Sequence, residues 1–471
     1  MDDTLNLEAD YLIVGSGAVG MAFADVLLTE TDATMIIVDK YQKPGGHWNV
    51  AYPFVTLHQP SAFYGVSSVE LSKGLKDEIG LNKGLNDLAS GAEVNAYFDS
   101  VMRHKFLPSG RVKYYPMCEY KGNGVFKSML TGKEYQVKAN RKTIDATYLK
   151  TTVPSTHTPN FSIAPEVRFM PLNDLPKIDS PPAGFVIIGG GKTGIDACLW
   201  LLELHVDPDK ITWIMSRDAW LLDRQNTQPT EEFFKYSIGA QADQFEAIAE
   251  ADSITDLFDK LEERGVLLRL DKNVRPKMFH GATISQEELK ELQKIKNVVR
   301  MGRVTEVTLD EIILDIGCIP TSRDHVHIDC SASAISNLEM KPIFQGELIT
   351  PQTVRSYQPV FSAALIAHVE VAYEDDDKKK NGICNVVPLP NHDTDWIRML
   401  AAFMTNQYNW GQDKEMRAWL RNNRLDGFSK MVSEVSKEDQ EKQDILLRLR
   451  NSAMPAMMKL QQFMTELEAT A

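Results

Sequence analysis

The stretch that decides the fold is Asp10 to Gly20, which reads Asp-Tyr-Leu-Ile-Val-Gly-Ser-Gly-Ala-Val-Gly. Its apolar run, Tyr11 to Val14, leads directly into Gly15, Gly17 and Gly20. In this spacing the first glycine makes a tight strand-to-helix turn, the second lets backbone approach a pyrophosphate, and the third lets the helix pack closely on the strand. The stretch therefore predicts a buried strand, a turn and a helix whose N-terminus binds a dinucleotide.

A second apolar run, Met35 to Val38, ends at Asp39, nineteen residues after Gly20. An acidic side chain at the end of this strand can accept hydrogen bonds from both hydroxyls of an adenosine ribose. Nucleotide binding is the favoured interpretation, and the alternative is a glycine-rich surface turn.

The sequence after Asp39 supplies groups that suit a flat heterocycle. Pro44 to Trp48 is a turn that places the imidazole of His47 and an indole beside the ends of the first two strands. The segment Val55 to Ser61 changes from apolar to polar and would supply the imidazole of His58 and the amide of Gln59. The alternative for both histidines is an ordinary loop or core position.

The opening pattern returns 174 residues later. Phe185 to Ile188 is an apolar run that leads into Gly189, Gly191 and Gly194. Two matches in matching contexts are much less likely to arise by chance than one, so we predict a second strand, turn and helix of the same kind.

The second copy differs from the first where its next strand ends. Ile211 to Met215 is followed by Ser216 and Arg217, at the place that Asp39 holds in the first copy. An aspartate there would repel a ribose 2′-phosphate, whereas arginine is its expected partner. The second copy therefore predicts NADP, and the alternative is a surface arginine. Two different nucleotides in one chain suggest hydride transfer from NADPH to a flavin.

Composition limits the class of protein. The chain has 471 residues and 43% apolar content, which suffices for two or three domains with real cores. Its net charge of -14 argues against nucleic acid or a membrane as the main partner. The start, Met1 to Thr4, lacks the features of a signal peptide, no apolar run reaches the length of a membrane helix, and the five scattered cysteines fit a reducing compartment. We expect a cytoplasmic protein.

The helical parts of the sequence leave alternatives open. Thr230 to Gly265 is acidic and predicts a solvated helical insert. Trp396 to Trp410 predicts either core packing or the wall of a substrate pocket. The methionine-rich tail, Glu438 to Ala471, predicts a helix that packs on the body or joins another subunit, so a homo-oligomer through the C-terminal helices is one interpretation.

The motifs Gly15 to Gly20, Gly45 to Trp48 and Gly189 to Gly194, together with Arg217, resemble those of the flavin-containing monooxygenase and Baeyer–Villiger superfamily. The resemblance covers residues 8 to 220. It implies FAD in the first domain, NADPH in the second, and O₂ and a small molecule as reactants. In that family the reduced flavin adds O₂ to form a peroxyflavin, which oxygenates a nitrogen, a sulfur or a carbonyl carbon.

The residues and the resemblance together give a set of candidate site residues, with no metal ligand among them. The catalytic candidates are Trp48, His58 and Gln59. The candidates for binding FAD are Gly15, Ser16, Gly17, Ala18, Val19, Gly20, Asp39, Lys40, Gly45, Gly46, His47, Trp48, His58, Gln59 and Cys118. The candidates for binding NADPH are Gly189, Gly191, Lys192, Thr193, Gly194, Ser216 and Arg217.

The expected fold class is α/β, with two Rossmann-like dinucleotide-binding domains and a helical C-terminal region. We expect the NADP domain, with its helical insert, at 166–319. It interrupts an FAD domain at 1–165 and 320–400, and the helical region follows at 400–471.

The predicted function is an FAD-dependent, NADPH-consuming monooxygenase acting on a small molecule. The linker motif of the family, Phe-x-Gly-x-x-x-His, is absent before Gly189, where Val167 to Pro171 stands instead. Two alternatives therefore stay open: an NAD(P)H-dependent flavin oxidoreductase or dehydrogenase that inserts no oxygen, and a non-catalytic nucleotide-sensing protein.

Overall fold

Two sheets, one mixed with a parallel centre and one entirely parallel, each with a helix that starts at a glycine turn, form the frame of the molecule. The computed structural model of the protein describes residues 4–333, 338–373 and 376–470. Met1 to Asp3 of the acidic start and Ala471 at the end of the predicted tail helix lie outside these ranges.

The strands within these ranges are β1 Leu5–Val14, β2 Met35–Val38, β3 Gly65–Val66, β4 Val69–Glu70, β5 Val112–Tyr115, β6 Cys118–Gly122, β7 Val125–Ser128, β8 Glu134–Asp145, β9 Ser162–Ile163, β10 Phe169–Pro171, β11 Gly184–Ile188, β12 Ile211–Ile214, β13 Ala219–Asp223, β14 Leu267–Leu268, β15 Met278–Ile284, β16 Val298–Val299, β17 Val304–Val307, β18 Glu311–Leu314, β19 Gly317–Pro320, β20 His325–Asp329, β21 Phe344–Gln345 and β22 Leu348–Ile349. The α-helices are α1 Ala18–Glu30, α2 Gly91–Val101, α3 Lys192–Glu203, α4 Phe234–Glu250, α5 Ile254–Glu263, α6 Gln286–Leu292, α7 Pro359–Ala372, α8 Asp377–Ile383, α9 Asp395–Gln412, α10 Lys414–Asn422, α11 Ser429–Ser433 and α12 Gln440–Thr470.

The first sheet has the order β21-β22-β8-β1-β2-β5, and the β6–β7 hairpin joins it at β8. β1 pairs in parallel with both β2 and β8. Successive side chains of a strand point to opposite faces. Tyr11 and Ile13 accordingly pack in the core that contains α1 and α7, whereas Leu12 and Val14 pack with Phe126 of the hairpin. Burial on both faces explains why the strand is a continuous apolar run.

The second sheet has the order β10-β20-β11-β12-β16, and all of its pairs are parallel. β22, which follows this sheet in the chain, returns to the first sheet and pairs in parallel with β8. The first Rossmann-like unit is therefore formed by two parts of the chain, one before and one after the second unit in the sequence. The α/β fold class with two Rossmann-like units and a helical C-terminal region is confirmed.

The helical insert shares a core with the C-terminal helices. Trp220 stacks on Phe258 of α5 at 5.6 Å between ring centroids, and Phe258 meets Trp396 of α9 at 5.9 Å. Leu460 of α12 is fully buried in the same cluster. The prediction of a solvated insert is wrong, because the apolar side of the insert packs on helices that come much later in the chain.

The two aromatic and methionine-rich segments also pack inward. Trp396 and Trp410, at the two ends of the predicted segment, are both buried, so α9 contributes to the core. α12 packs along α4, while Met454 and Met458 stay exposed. Among the helices of the described residues, none combines the length and apolar character needed to cross a membrane.

We expect Leu460→Ala to lower the free energy of unfolding by about 2–5 kcal/mol, because it opens a cavity in this shared core. Urea unfolding followed by tryptophan fluorescence measures the change. Met458→Ala on the same helix is the matched control, since this side chain is 65% exposed. The control should change the free energy by less than about 0.5 kcal/mol, and similar losses in the two variants would contradict a core shared by the insert and the tail.

Candidate functional site

The two glycine turns have the same geometry. Gly15 and Gly189 have positive φ angles of 98° and 138°. A β-carbon on Gly20 would lie 2.0 Å from the carbonyl oxygen of Gly15, and one on Gly194 would lie 2.1 Å from that of Gly189. No side chain fits at such a distance, so each helix can start against its strand only with glycine in the third position.

The surroundings of the two turns differ. A β-carbon on Gly17 would lie 3.4 Å from the Cα atom of Gly46, and the Gly45 N–H donates to the Ser16 carbonyl at 3.0 Å. The backbone that approaches the first turn is therefore the Gly45–Gly46 turn. A β-carbon on Gly191 would meet no described atom within 4 Å. The second turn thus borders open space.

Neither α1 nor α3 has a side-chain cap at its N-terminus. The first N–H groups of a helix have no partner within the helix and carry the positive end of its dipole. Both helix starts can therefore bind an anion such as a pyrophosphate.

Asp39, which follows the neighbouring strand β2, forms hydrogen bonds with the first turn. Its buried carboxylate accepts hydrogen bonds from the Ser16 N–H at 2.5 Å, from the Ser16 hydroxyl at 2.8 Å and from the Tyr41 N–H at 2.8 Å. A carboxylate offers about four acceptor positions, and three are used here. About one position remains for a ribose hydroxyl.

Trp48 lies in the short 3-10 helix Gly46–Val50, and hydrogen bonds hold both its side chain and its backbone. Its indole N–H donates to the Tyr64 hydroxyl at 2.8 Å, and its carbonyl accepts from the Asn95 amide at 2.9 Å. The His47 ring stacks on the indole at 5.3 Å between centroids. Burial lowers the pKa of His47 to about 4, so this ring is neutral at physiological pH.

The segment that carries His58 is held by the second unit. The Lys192 ammonium donates to the Thr56 carbonyl at 2.9 Å, and the Arg224 guanidinium donates to the His58 carbonyl at 2.5 Å. Burial lowers the pKa of His58 well below its usual range, and the charges of Lys192 and Arg224 act in the same direction. Gln59 follows, half-buried.

A partly buried polar network, for which the sequence contains no local signal, supports this segment. The Tyr52 hydroxyl donates to the Asp196 carboxylate at 2.5 Å, and Asp196 also pairs with Lys192. Arg224 pairs with Glu288 at 2.8 Å. These two pairs line an enclosed cavity of about 20 Å³, which is room for a single water molecule.

Arg217 lies beside the second turn. A β-carbon on Gly190 would lie 3.3 Å from the Arg217 carbonyl oxygen. The half-buried guanidinium donates to the side chain of Asn391 at 2.8 Å and contacts His392 at 3.3 Å. Burial lowers the pKa of Arg217, and the nearby charge of Arg303 lowers it further, while the charges of Asp393 and Asp395 act in the opposite direction.

The remaining predicted site residues lie at helix starts or strand ends near the two turns. Ala18 and Val19 begin α1, and Thr193 lies in the first turn of α3. Lys40 and Ser216 are exposed just after Asp39 and Met215. Cys118 begins β6, is buried, and donates its N–H to the Asp39 carbonyl at 2.9 Å. Within the described residues, no group of His, Cys, Asp and Glu side chains could hold a metal ion.

The structure thus brings the predicted residues into three groups. Ser16, Asp39, Gly45–Gly46 and Cys118 surround the first turn, and Arg217 lies at the second. The segment with His58 lies where the units meet, through Lys192 and Arg224. The sequence pointed to this last group only through Lys192 of the second motif. The segment that Lys192 and Arg224 hold is too distant in the sequence for these contacts to be predicted.

The fold and the two turns define an α/β protein with two Rossmann-like units in one chain. No family model matches the chain. The uncharacterized protein Rv2000 of Mycobacterium tuberculosis is 47% identical over 433 residues, which are 91% of this chain and 80% of that protein. The uncharacterized protein Mb2023 of Mycobacterium bovis matches to the same extent. The chain belongs to the family of these mycobacterial proteins.

Solved structures with a similar chain course include three enzymes. A flavin-containing monooxygenase from Stenotrophomonas maltophilia has a TM-score of 0.45 at 13% identity, covering 78% of this chain and 98% of that chain. Bacillithiol disulfide reductase Bdr from Staphylococcus aureus has a TM-score of 0.44 at 13% identity, with 78% and 99% covered. NADP⁺-bound cyclohexanone monooxygenase from Rhodococcus sp. Phi1 has a TM-score of 0.40 at 13% identity, with 69% and 71% covered.

The His47 ring should stay neutral until the pH falls to about 4. The ordinary pKa of histidine is about 6.5, so between these two values the unfolded chain binds a proton here that the folded chain does not. This histidine therefore lowers stability as the pH falls from 6.5 to 4. A proton NMR titration of the ring signals measures the pKa, with His47→Gln identifying the signal. A midpoint near 6.5 would show that the ring is solvated.

Proposed function

We propose that the chain is a flavin-dependent NADPH oxidoreductase that oxygenates a small molecule. One observation carries the proposal. Two glycine turns of the same geometry lie in one chain, and opposite charges follow the neighbouring strands: Asp39 comes directly after β2, and Arg217 comes three residues after the end of β12. A carboxylate suits ribose hydroxyls and a guanidinium suits a 2′-phosphate, which supports two different dinucleotides.

The first turn suits FAD. Gly17 and Gly46 let two backbone segments lie together without side chains between them, next to the uncapped start of α1. Asp39 stands at the end of β2 with about one acceptor position left. The motif resemblance to flavin-containing monooxygenases, in Gly15 to Gly20 and Gly45 to Trp48, supports the same cofactor.

The second turn suits NADPH. The open space beside Gly191 and the uncapped start of α3 would take the pyrophosphate, and Arg217 would take the 2′-phosphate. The chemistry supplied by FAD, when it is bound, is to accept a hydride from NADPH and to pass electrons on to O₂.

The chain itself contributes binding and orientation. Lys192 begins α3 at the second turn and holds the carbonyl of Thr56, so the coenzyme turn is bonded directly to the segment that carries His58. The neutral imidazole of His58 can form a hydrogen bond without adding a charge. Trp48 is held in one orientation by Tyr64 and Asn95.

Flavin content and coenzyme binding in two glycine variants test the cofactor assignment. Gly17→Val should lose bound flavin, because the new side chain displaces the Gly45–Gly46 turn. Gly191→Val should keep the wild-type flavin content, yet bind NADPH at least tenfold more weakly, because its side chain fills the space of the pyrophosphate. Absorption spectra and NADPH titrations measure both. A colourless wild-type protein that takes up no added FAD would overturn the proposal.

Product analysis tests oxygen insertion. The flavin-loaded protein should consume NADPH faster with at least one member of a panel of amines, sulfides and ketones, and release one oxygenated product for each NADPH. Hydrogen peroxide release is measured in the same reactions, with the Gly191→Val variant as the control. Quantitative hydrogen peroxide with every member would instead favour an oxidoreductase that inserts no oxygen.

A further inference from the structure

The guanidinium of Arg217 is held by a loop from the C-terminal third of the chain. Its Nη2 donates to the Asn391 Oδ1 at 2.8 Å, and its Nη1 lies 3.3 Å from the Nδ1 of His392. His280 of β15 also contacts the Asn391 Oδ1, through its Nε2 at 3.0 Å. Arginine can only donate, so the atom of Asn391 that faces it must be the oxygen, and His280 must carry its proton on Nε2.

The loop is held by hydrogen bonds to the start of α9 and by a bridge to the start of β15. The Asp395 carboxylate accepts from the backbone N–H groups of Asn391 at 3.0 Å and of His392 at 2.8 Å. His392 forms an isolated antiparallel bridge with Met278 at the start of β15. The loop therefore presents Asn391 and His392 to Arg217 from a defined backbone.

Arg217 keeps capacity for an anion. A guanidinium has five N–H donors, and with two committed to Asn391 and His392, three have no partner among the described residues. Neither Arg217 nor Arg303 forms a direct ion pair in the described parts of the chain, and the two cations repel each other, while the charges of Asp393 and Asp395 partly offset this repulsion at Arg217. A bound phosphate would make the direct ion pair that the free donors of Arg217 lack.

We propose that Asn391 and His392 are positioning residues that set the preference of the second turn for NADPH over NADH. They aim the free edge of Arg217 at the 2′-phosphate, with Arg303 adding a second positive charge. The inference rests on the proposed binding of NADPH at the second turn, and it assigns the selectivity to a loop that lies outside the second sheet and its glycine motif.

Adenosine 2′,5′-bisphosphate and AMP are the probes, because they differ only in the 2′-phosphate and need neither flavin nor turnover. Asn391→Asp places a carboxylate against Arg217 and should raise the Kd of the bisphosphate at least tenfold, while the Kd of AMP stays within twofold. Asn391→Ala removes the anchor without adding charge and should weaken the bisphosphate about threefold to tenfold. Arg217→Ala is the reference for loss of the 2′-phosphate contact and should raise the Kd of the bisphosphate about tenfold to 150-fold, which corresponds to about 1.5–3 kcal/mol of binding free energy.

Thr394→Ala in the same loop is the matched control, since among the described residues the guanidinium of Arg217 forms hydrogen bonds to Asn391 and His392 but not to Thr394, and this variant should bind both probes as the wild type does. Circular dichroism checks that each variant is folded. Equal weakening of both probes in the Asn391 variants, or no weakening while Arg217→Ala loses the bisphosphate, would overturn the positioning role alone. A wild-type chain that binds neither probe would instead overturn NADPH binding at the second turn.

Discussion

The contact between the third glycine of each turn and the carbonyl oxygen of the first is the constraint on which the molecule depends. With a β-carbon at Gly20 or Gly194, helix and strand would overlap at 2.0 or 2.1 Å. Because the contact is made twice, the starts of α1 and α3 both lie at the carboxyl edges of parallel sheets, where ligands of such folds bind. The positions of Asp39 and Arg217 follow from the same arrangement, since each lies just after the strand next to its turn, Asp39 after β2 and Arg217 three residues after β12.

The two units are joined by buried and partly buried charges as well as by apolar packing. An unpaired charge in the interior is costly, and hydrogen bonds and an opposite charge reduce that cost. Arg224 pairs with Glu288 and donates to the carbonyl of His58, although its Nε has no partner among the described residues, and Lys192 pairs with Asp196 and donates to the carbonyl of Thr56. Such geometry favours one arrangement of the segment that carries His58.

The local sequence pattern predicted those strands and helices whose formation depends on residues adjacent in the chain. The buried strands at Tyr11 to Val14 and Phe185 to Ile188, and the helices that follow them, come from apolar runs and glycine spacing and are confirmed. Contacts between distant residues could not be predicted in this way. Arg224 meets His58 across 166 residues, and Arg217 meets Asn391 across 174. The error over the acidic insert has the same origin, since its buried side is recognisable only beside α12.

The charges at the two turns bear on the proposed binding of two different dinucleotides by an acidic protein. The chain carries a net charge of -14, which by itself repels any dinucleotide. Salt screens exposed charges beyond about 8–10 Å, so the groups next to each turn dominate. At the first turn the Asp39 carboxylate is largely satisfied by Ser16 and Tyr41. At the second turn Arg217 and Arg303 form no direct ion pair among the described residues, although the charges of Asp393 and Asp395 also act on Arg217, so the proposed 2′-phosphate would find unpaired guanidinium donors there and a carboxylate at Asp39.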